Sequence, residues 1–144
     1  MTQQYYGTKL IQAWESEKEG QPGYGVKYAD GYTSWSPKAV FEEAYQPLNA
    51  LSFGHAILAA KDGKPISRHG DGSFIVYMPP LSLPPYNTQD TARKVNDRTA
   101  KWIGEDTPLD SLGYFALFTV DKKWQPGWIP SQADMLANDW QVVE

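Results

Sequence analysis

The residues Gly113-Tyr114-Phe115-Ala116-Leu117-Phe118-Thr119-Val120 form the most strand-like stretch of the chain. Aromatic and β-branched residues favour strands, and a nearly continuous apolar run of this length is typical of a strand buried on both faces. We therefore expect it to lie centrally in a sheet. A turn at Asp121-Lys122-Lys123 follows, and residues 124–129 are predicted to return beside this strand.

Upstream of this strand, the pattern predicts a second hairpin and a short helix. Residues 64–67 and 73–78 are β-prone segments around the turn Gly70-Asp71-Gly72. Two pairs of prolines then interrupt residues 79–87, and because proline donates no ladder hydrogen bond we expect an extended excursion there. A helix over residues 97–103 should follow, ending at Gly104.

Two further helices and an edge strand are predicted in this part of the chain. Ser52 is a suitable N-cap for a helix that ends at Gly63, with inward-facing apolar residues and with His55 as a partly buried structural residue in its first turns. Ser131 and Asp134 have the spacing of a capping box, which predicts a short helix with Met135 and Leu136 facing inward. Residues 140–143 should end the chain as an edge strand.

Residues 1–48 have the pattern of a small separate unit. Residues 9–11 are a predicted strand, and Asp30-Gly31 lies between two β-prone runs, which is a strong hairpin signal. Ser36 as N-cap and Pro37 at the first helical position predict a helix whose apolar stripe is Val40, Phe41, Ala44 and Tyr45, with Pro47 as its stop. The predicted fold is therefore α+β: a strand–hairpin–helix unit over 1–48, then a core over 49–144 with a small antiparallel sheet and short helices packed on it.

Composition limits the possible functions. The 144 residues include 41% hydrophobic and 14% aromatic residues, enough to form a core, and no cysteine, which excludes disulfides, thiolate catalysis and cysteine zinc sites. The net charge of −4 argues against DNA or RNA as a partner. The charged first twenty residues contain no long apolar run, so we expect neither a signal peptide nor a membrane span, and a cytoplasmic location.

The chain lacks the common motifs of catalysis and cofactor binding. GxxxxGK[ST], GxGxxG, HExxH and GxSxG are all absent. We therefore predict a protein that is not an enzyme and holds no metal or cofactor. The members of a Ser-His-acid triad need not be close in sequence, so this arrangement stays an alternative, but neither histidine lies in a context that suggests one. A basic segment, Arg93, Lys94, Arg98 and Lys101, offers charge for a small anionic ligand; the alternative is a solvated helix face.

Tryptophans provide a second candidate binding feature, because indole faces stack on purine bases. Trp140 is predicted to lie in the core. Trp124 and Trp128 flank a Pro-Gly turn, and for both of them a stacking role and a core role remain open.

The segment Trp124-Gln125-Pro126-Gly127-Trp128-Ile129-Pro130-Ser131-Gln132-Ala133-Asp134-Met135-Leu136-Ala137-Asn138-Asp139-Trp140 resembles the second anti-Thoeris family of phage proteins. Leu51-Ser52-Phe53-Gly54-His55-Ala56 matches the opening helix of that family, and Asn96-Asp97-Arg98-Thr99-Ala100-Lys101 resembles a longer subgroup. The chain departs from the family at Arg68-His69-Gly70-Asp71-Gly72, where a Gly-Trp-Asn-Gly turn is common, and at His55, where an acidic residue is usual.

The resemblance implies a sponge that binds a small cyclic nucleotide, the glycocyclic ADP-ribose signal of Thoeris, in the cytoplasm of the infected bacterial host, with cyclic dinucleotides of CBASS as a further ligand class. It also implies a homo-oligomer, a tetramer built as a dimer of dimers. A nucleotide hydrolase and a protein-binding phage accessory module remain alternatives. The ligand-binding candidates are Phe74, Asn96, Arg98, Thr99, Lys101, Trp102, Trp124, Trp128, Gln132 and Asp134.

Residues 1–48 are similar to a short unit of phage proteins whose role is open, with the pattern GTK followed by DGYxSWSPxxVFEEAYxPL. A structural or assembly role and an added ligand surface are the two hypotheses for this unit.

Overall fold

The computed structural model describes residues 1–144, which form ten strands and four helices. The chain divides into two compact units, Met1–Gln46 and Pro47–Glu144. The small antiparallel sheets and short helices confirm the predicted α+β class. In chain order the elements are β1 (Gln12–Lys18), β2 (Gln21–Lys27), β3 (Thr33–Pro37), α1 (Lys38–Ala44), α2 (Phe53–Lys61), β4 (Ile66–Ser67), β5 (Phe74–Met78), β6 (Leu81–Leu83), α3 (Asp97–Ile103), β7 (Leu109–Ser111), β8 (Tyr114–Phe118), β9 (Trp124–Pro126), α4 (Gln132–Leu136) and β10 (Gln141–Val142).

The first unit contains a three-stranded antiparallel sheet in the order β1-β2-β3. The predicted hairpin is confirmed: Gly31 adopts φ 89° and its N–H donates to the Tyr28 carbonyl at 2.9 Å. The predicted strand at residues 9–11 is wrong, because β1 begins at Gln12. A tight turn at Glu19-Gly20, both with positive φ, sets the β1 register, and pairing ends where β2 ends.

Helix α1 begins one residue later than predicted. Pro37 is still paired with Gly23 in the sheet and occupies the N-cap position, so Ser36 does not cap the helix. Phe41 is the buried residue of α1, and its ring stacks on Tyr24 at 4.1 Å. The predicted apolar stripe is therefore only partly correct, because Val40 is exposed.

The second unit contains a five-stranded antiparallel sheet in the order β10-β4-β5-β8-β9. Strand β8 is paired on both sides, as expected for a central strand. Burial on both of its faces is incomplete, since Ala116 is fully buried and its neighbours are half-buried. One face packs against α2, where the buried core consists of Leu51, Ala56, Ala60, Ile66, Ile75 and Trp140.

The helices α2 and α3 form where the capping signals predict them. The Ser52 side chain accepts a hydrogen bond from the His55 N–H, and α3 ends at Gly104 with φ 101°. The expectation that residues 79–87 form no ladder is wrong at β6, which pairs with β7 as a separate two-stranded sheet. The prolines flank this strand and do not interrupt it, so its hydrogen bonds remain possible.

Helix α4 has the predicted capping box, in which Ser131 and Asp134 exchange hydrogen bonds. The prediction that Met135 and Leu136 face inward is wrong, because both are exposed. Trp140 is buried in the core instead, and its indole N–H donates to the Asp134 carbonyl at 2.8 Å. No helix in the structure combines the length and the apolar character that crossing a membrane requires.

Candidate functional site

The exposed side of α3 combines two cations with an indole ring. Arg98, Lys101 and Trp102 lie three and four residues apart, so they are neighbours on one helix face. Trp102 is 82% exposed, whereas Ala100 on the opposite side is buried. We call Arg98, Lys101 and Trp102 the α3 surface.

Two other predicted ligand residues hold this helix in place. The Asn96 side-chain oxygen accepts a hydrogen bond from the Thr99 N–H at 2.8 Å, which caps α3. This bond satisfies one of the free N–H groups of the first turn. Asn96 and Thr99 therefore position Arg98, which follows the cap by two residues.

The four cations of the basic segment have different surroundings. Lys94 donates to the Thr88 carbonyl at 3.2 Å and lies 5.2 Å from the centre of the Tyr86 ring. Arg98 and Lys101 are exposed and take part in none of the ion pairs of the structure. Their charge is therefore available to an anionic ligand.

Phe74 and Trp124 lie in one row of aromatic side chains across the sheet. Phe74 is paired with Phe118, and the two rings stack at 5.0 Å. Trp124 is paired with Phe118 from the other side and is 45% exposed. Residues directly opposite each other point to the same face, so the three rings form an aromatic row. The sequence analysis missed Phe118, although its alternation with Leu117 in β8 signals a two-faced strand.

The aromatic row lies at one end of β5, and the segment that carries the α3 surface leaves the sheet from the other end of this strand. The row lies at the Phe74 end of β5, whereas the segment that carries α3 leaves from the Met78 end, about 13 Å along the strand. No hydrogen bond, ion pair or ring contact joins the row to the α3 surface.

The remaining candidates lie in the segment that follows β9. Trp128 packs edge-on against Trp140, with ring centres 6.1 Å apart, and contacts the core. One Asp134 oxygen accepts the Ser131 N–H at 2.9 Å and the other accepts from Arg68 at 3.1 Å. Gln132 is exposed. In this chain Trp128 and Asp134 therefore serve packing and capping, and Gln132 is free to meet a ligand.

The role of Arg68 as a partner of two carboxylates was not predicted from the sequence. Its guanidinium forms ion pairs with Asp134 at 3.1 Å and Asp139 at 2.9 Å, which attach the end of β4 to the C-terminal segment. Burial on its own would raise the pKa of Asp134, but hydrogen bonds from Ser131 and Arg68 outweigh it, so the pKa of this carboxyl lies below its usual value. The partners are more than sixty residues apart, and no local pattern signals such a pair.

Because the pKa of Asp134 is lowered in the folded state, the carboxyl contributes stability above its unfolded pKa of about 4. This stability is lost as the pH falls through the folded pKa. The Asp134→Asn substitution should lower the free energy of unfolding by about 1–2 kcal/mol at pH 7. As the pH is lowered from about 5 to about 2, the melting temperature of this variant should fall less than that of the wild type. Asp139→Asn, which removes an Arg68 partner but no cap, is the matched control. Equal acid sensitivity of wild type and Asp134→Asn would contradict this assignment.

An open groove of about 710 Å³ lies beside the β4–β10 edge of the sheet. Its lining includes Leu48, Ser67, Gly70, Ser73 and Gln141, and none of the predicted ligand residues. Gly70 and Gly72 both have positive φ, so this turn retains glycines where the chain lacks the Trp that is common in the family. Hydrogen bonds from the Ser73 side chain and N–H lower the pKa of Asp71 within the same turn.

The structure contains no group of three or more His, Cys, Asp or Glu side chains arranged to hold a metal ion.

Comparison with known proteins gives one family: the model of the Thoeris anti-defense 2-like domain matches residues 51–143. No curated protein matches the chain. The family match covers well over half of the sequence and includes all the predicted ligand residues, which confirms the resemblance carried by the C-terminal motif. The chain therefore belongs to the Thoeris anti-defense 2-like family.

Proposed function

We propose that the unit formed by residues 49–144 binds the glycocyclic ADP-ribose signal of Thoeris and sequesters it without cleaving it. Membership of an anti-Thoeris family supports the choice of pathway. The observation that carries the binding chemistry is the α3 surface, where a largely exposed indole lies on the same helix face as two cations that form no ion pair.

The chemistry of the α3 surface matches that of an ADP-ribose ligand. Arg98 and Lys101 donate charge-assisted hydrogen bonds to phosphate oxygens, and Trp102 offers an open ring face to adenine. A base stack contributes about 1–3 kcal/mol and a hydrogen bond to a charged group about 1.5–3 kcal/mol. A sponge with nanomolar affinity needs about 12 kcal/mol, so this surface supplies part of a larger pocket.

The rest of the pocket is proposed to come from a second copy of the chain. The aromatic row lies at the opposite end of β5 from the point where the segment carrying α3 begins, and we propose that a homo-oligomer brings the α3 surface of one protomer and the row of its partner to the same ligand. The proposed assembly is a tetramer built as a dimer of dimers. Cyclic dinucleotides of CBASS are proposed as a further ligand class, and the proposed site of action is the cytoplasm of the infected host.

Intact release of the ligand tests sequestration. The protein is incubated with glycocyclic ADP-ribose, freed of unbound ligand, denatured by heat, and the supernatant is analysed by mass spectrometry. We expect unmodified ligand in an amount close to the number of binding sites, from an assembly whose mass by light scattering exceeds that of a 16.2 kDa monomer.

Matched controls make this result decisive. The same protocol with Arg98→Ala/Trp102→Ala should release little ligand, because the α3 surface has lost a cation and its ring. Recovery of linear or hydrolysed product would support a nucleotide hydrolase in place of a sponge. A protein that carries no ligand through the separation would refute binding altogether.

A further inference from the structure

The N-terminal unit carries a flat two-tryptophan surface. Trp14 of β1 and Trp35 of β3 are both direct cross-strand neighbours of Gly25 in β2, so their side chains lie on one face of the sheet. Trp14 is 50% exposed and Trp35 is half-buried.

Two glycines allow the indoles to lie against the sheet. A Cβ added at Gly25 would overlap the Trp14 atoms Cε2, Cζ2 and Nε1, and one added at Gly23 would overlap the Trp35 ring. Overlap with three adjacent ring atoms means that the Trp14 ring lies with one face against the glycine, and half of the residue's surface remains exposed. The Trp35 N–H donates to the Ser16 carbonyl at 3.1 Å and so fixes the second ring.

The charges of this unit are divided between the two faces of the sheet. Lys18 and Lys27 lie on the same face of the sheet as the two tryptophans, and the Lys18 ammonium lies 5.6 Å from the centre of the Trp35 ring. Glu15 and Glu17 point to the opposite face, where α1 packs. The tryptophan face therefore has two cations and no carboxylate among its strand positions.

This combination selects one class of ligand. An exposed ring beside two cations fits a planar base joined to a phosphate, whereas a sugar or a proline-rich peptide makes no use of the charges. Lys18 covers Trp35 and leaves Trp14 as the open ring, which accommodates one base. The acidic residues elsewhere in the unit disfavour a long polyanion such as nucleic acid.

We propose that Trp14, Lys18 and Lys27 form a second binding site, distinct from the α3 surface, for a small purine nucleotide. The base stacks on Trp14, and Lys27 or Lys18 binds the phosphate. This inference does not depend on the proposed function of the second unit, because its residues all belong to the first.

The test is ADP binding to full-length protein carrying Arg98→Ala/Trp102→Ala, which removes the α3 surface as a competing site. We expect binding by calorimetry with quenching of tryptophan fluorescence, weaker binding of adenosine, and lower ADP affinity at high salt. In this background Trp14→Ala should weaken ADP binding about 5- to 100-fold, and Trp14→Phe should retain part of the affinity.

Lys27→Glu keeps the proposal testable if Trp14→Ala does not fold, because Lys27 is exposed. It should weaken ADP binding several-fold and leave adenosine binding unchanged. Absence of ADP binding, equal affinity in Trp14→Phe, Lys27→Glu and their parent, or tighter binding of maltotriose than of ADP would overturn the proposal. Failure of the wild-type protein to bind glycocyclic ADP-ribose, together with ADP binding by the double variant, would count against the proposed function only.

Discussion

Replacing Arg98 and Trp102 together by alanine is expected to weaken binding of glycocyclic ADP-ribose by about two to four orders of magnitude. The arginine contributes about 1.5–3 kcal/mol through a charge-assisted contact, and the indole about 1–3 kcal/mol through stacking. Each factor of ten in affinity corresponds to 1.4 kcal/mol. Both side chains point to solvent in the chain, so the melting temperature should change little.

Calorimetry of both single variants and of the double variant would separate the two contributions. Arg93→Ala is the matched control, because Arg93 is an exposed cation of the same basic segment that lies before α3. It should keep nearly full affinity. If the double variant binds as tightly as the wild type at moderate salt, the α3 surface is only a solvated helix face.

Trp140→Ala is expected to lower the free energy of unfolding by about 3–5 kcal/mol. The side chain is 1% exposed, its ring contacts Phe53 and Trp128, and its N–H donates to the Asp134 carbonyl. Removing it leaves a cavity between α2 and the C-terminal segment and deprives the Asp134 carbonyl of one of its two hydrogen bonds, the other being from the Ala137 N–H. Urea unfolding would measure the change as a lower midpoint at an unchanged slope.

Trp124→Ala provides the contrast within the same family motif. Trp124 is about half exposed at the edge of the aromatic row, so this change should cost much less stability than Trp140→Ala and should reduce ligand affinity instead. Similar losses of stability in the two variants, with no effect of Trp124→Ala on affinity, would show that the whole motif is scaffold.

Local signals determined most of the elements correctly. The predicted caps Ser52 and Ser131 mark the starts of two helices, because a side-chain oxygen three residues before a free N–H needs no distant partner. The central strand and the burial of Trp140 likewise follow from apolar runs and from the cost of leaving an indole in water. Family membership was also determined by the sequence alone, through the motif between Trp124 and Trp140.

The errors occurred where one or two residues of register decide the outcome. Pairing from the Glu19-Gly20 turn placed β1 after the predicted strand, and continued pairing of Pro37 delayed α1. The prediction that Met135 and Leu136 of α4 face inward was wrong, because Trp140, which lies outside the helix, occupies the core beside it. Which side chain is buried at such a position depends on the other side chains that compete for the same part of the core. The linear sequence pattern does not show which side chains compete.

The sequence by itself determined the fold class, the Ser52 and Ser131 caps, the cations of α3 and the family. Only the tertiary structure decided which candidates face solvent and which hold the scaffold. Asp134 is bound by Arg68 across the fold, Trp128 packs on Trp140, and Trp102 remains open. The physical reason is that caps and periodicity are set by neighbours along the chain, whereas burial and ion pairing are set by residues that folding alone brings together.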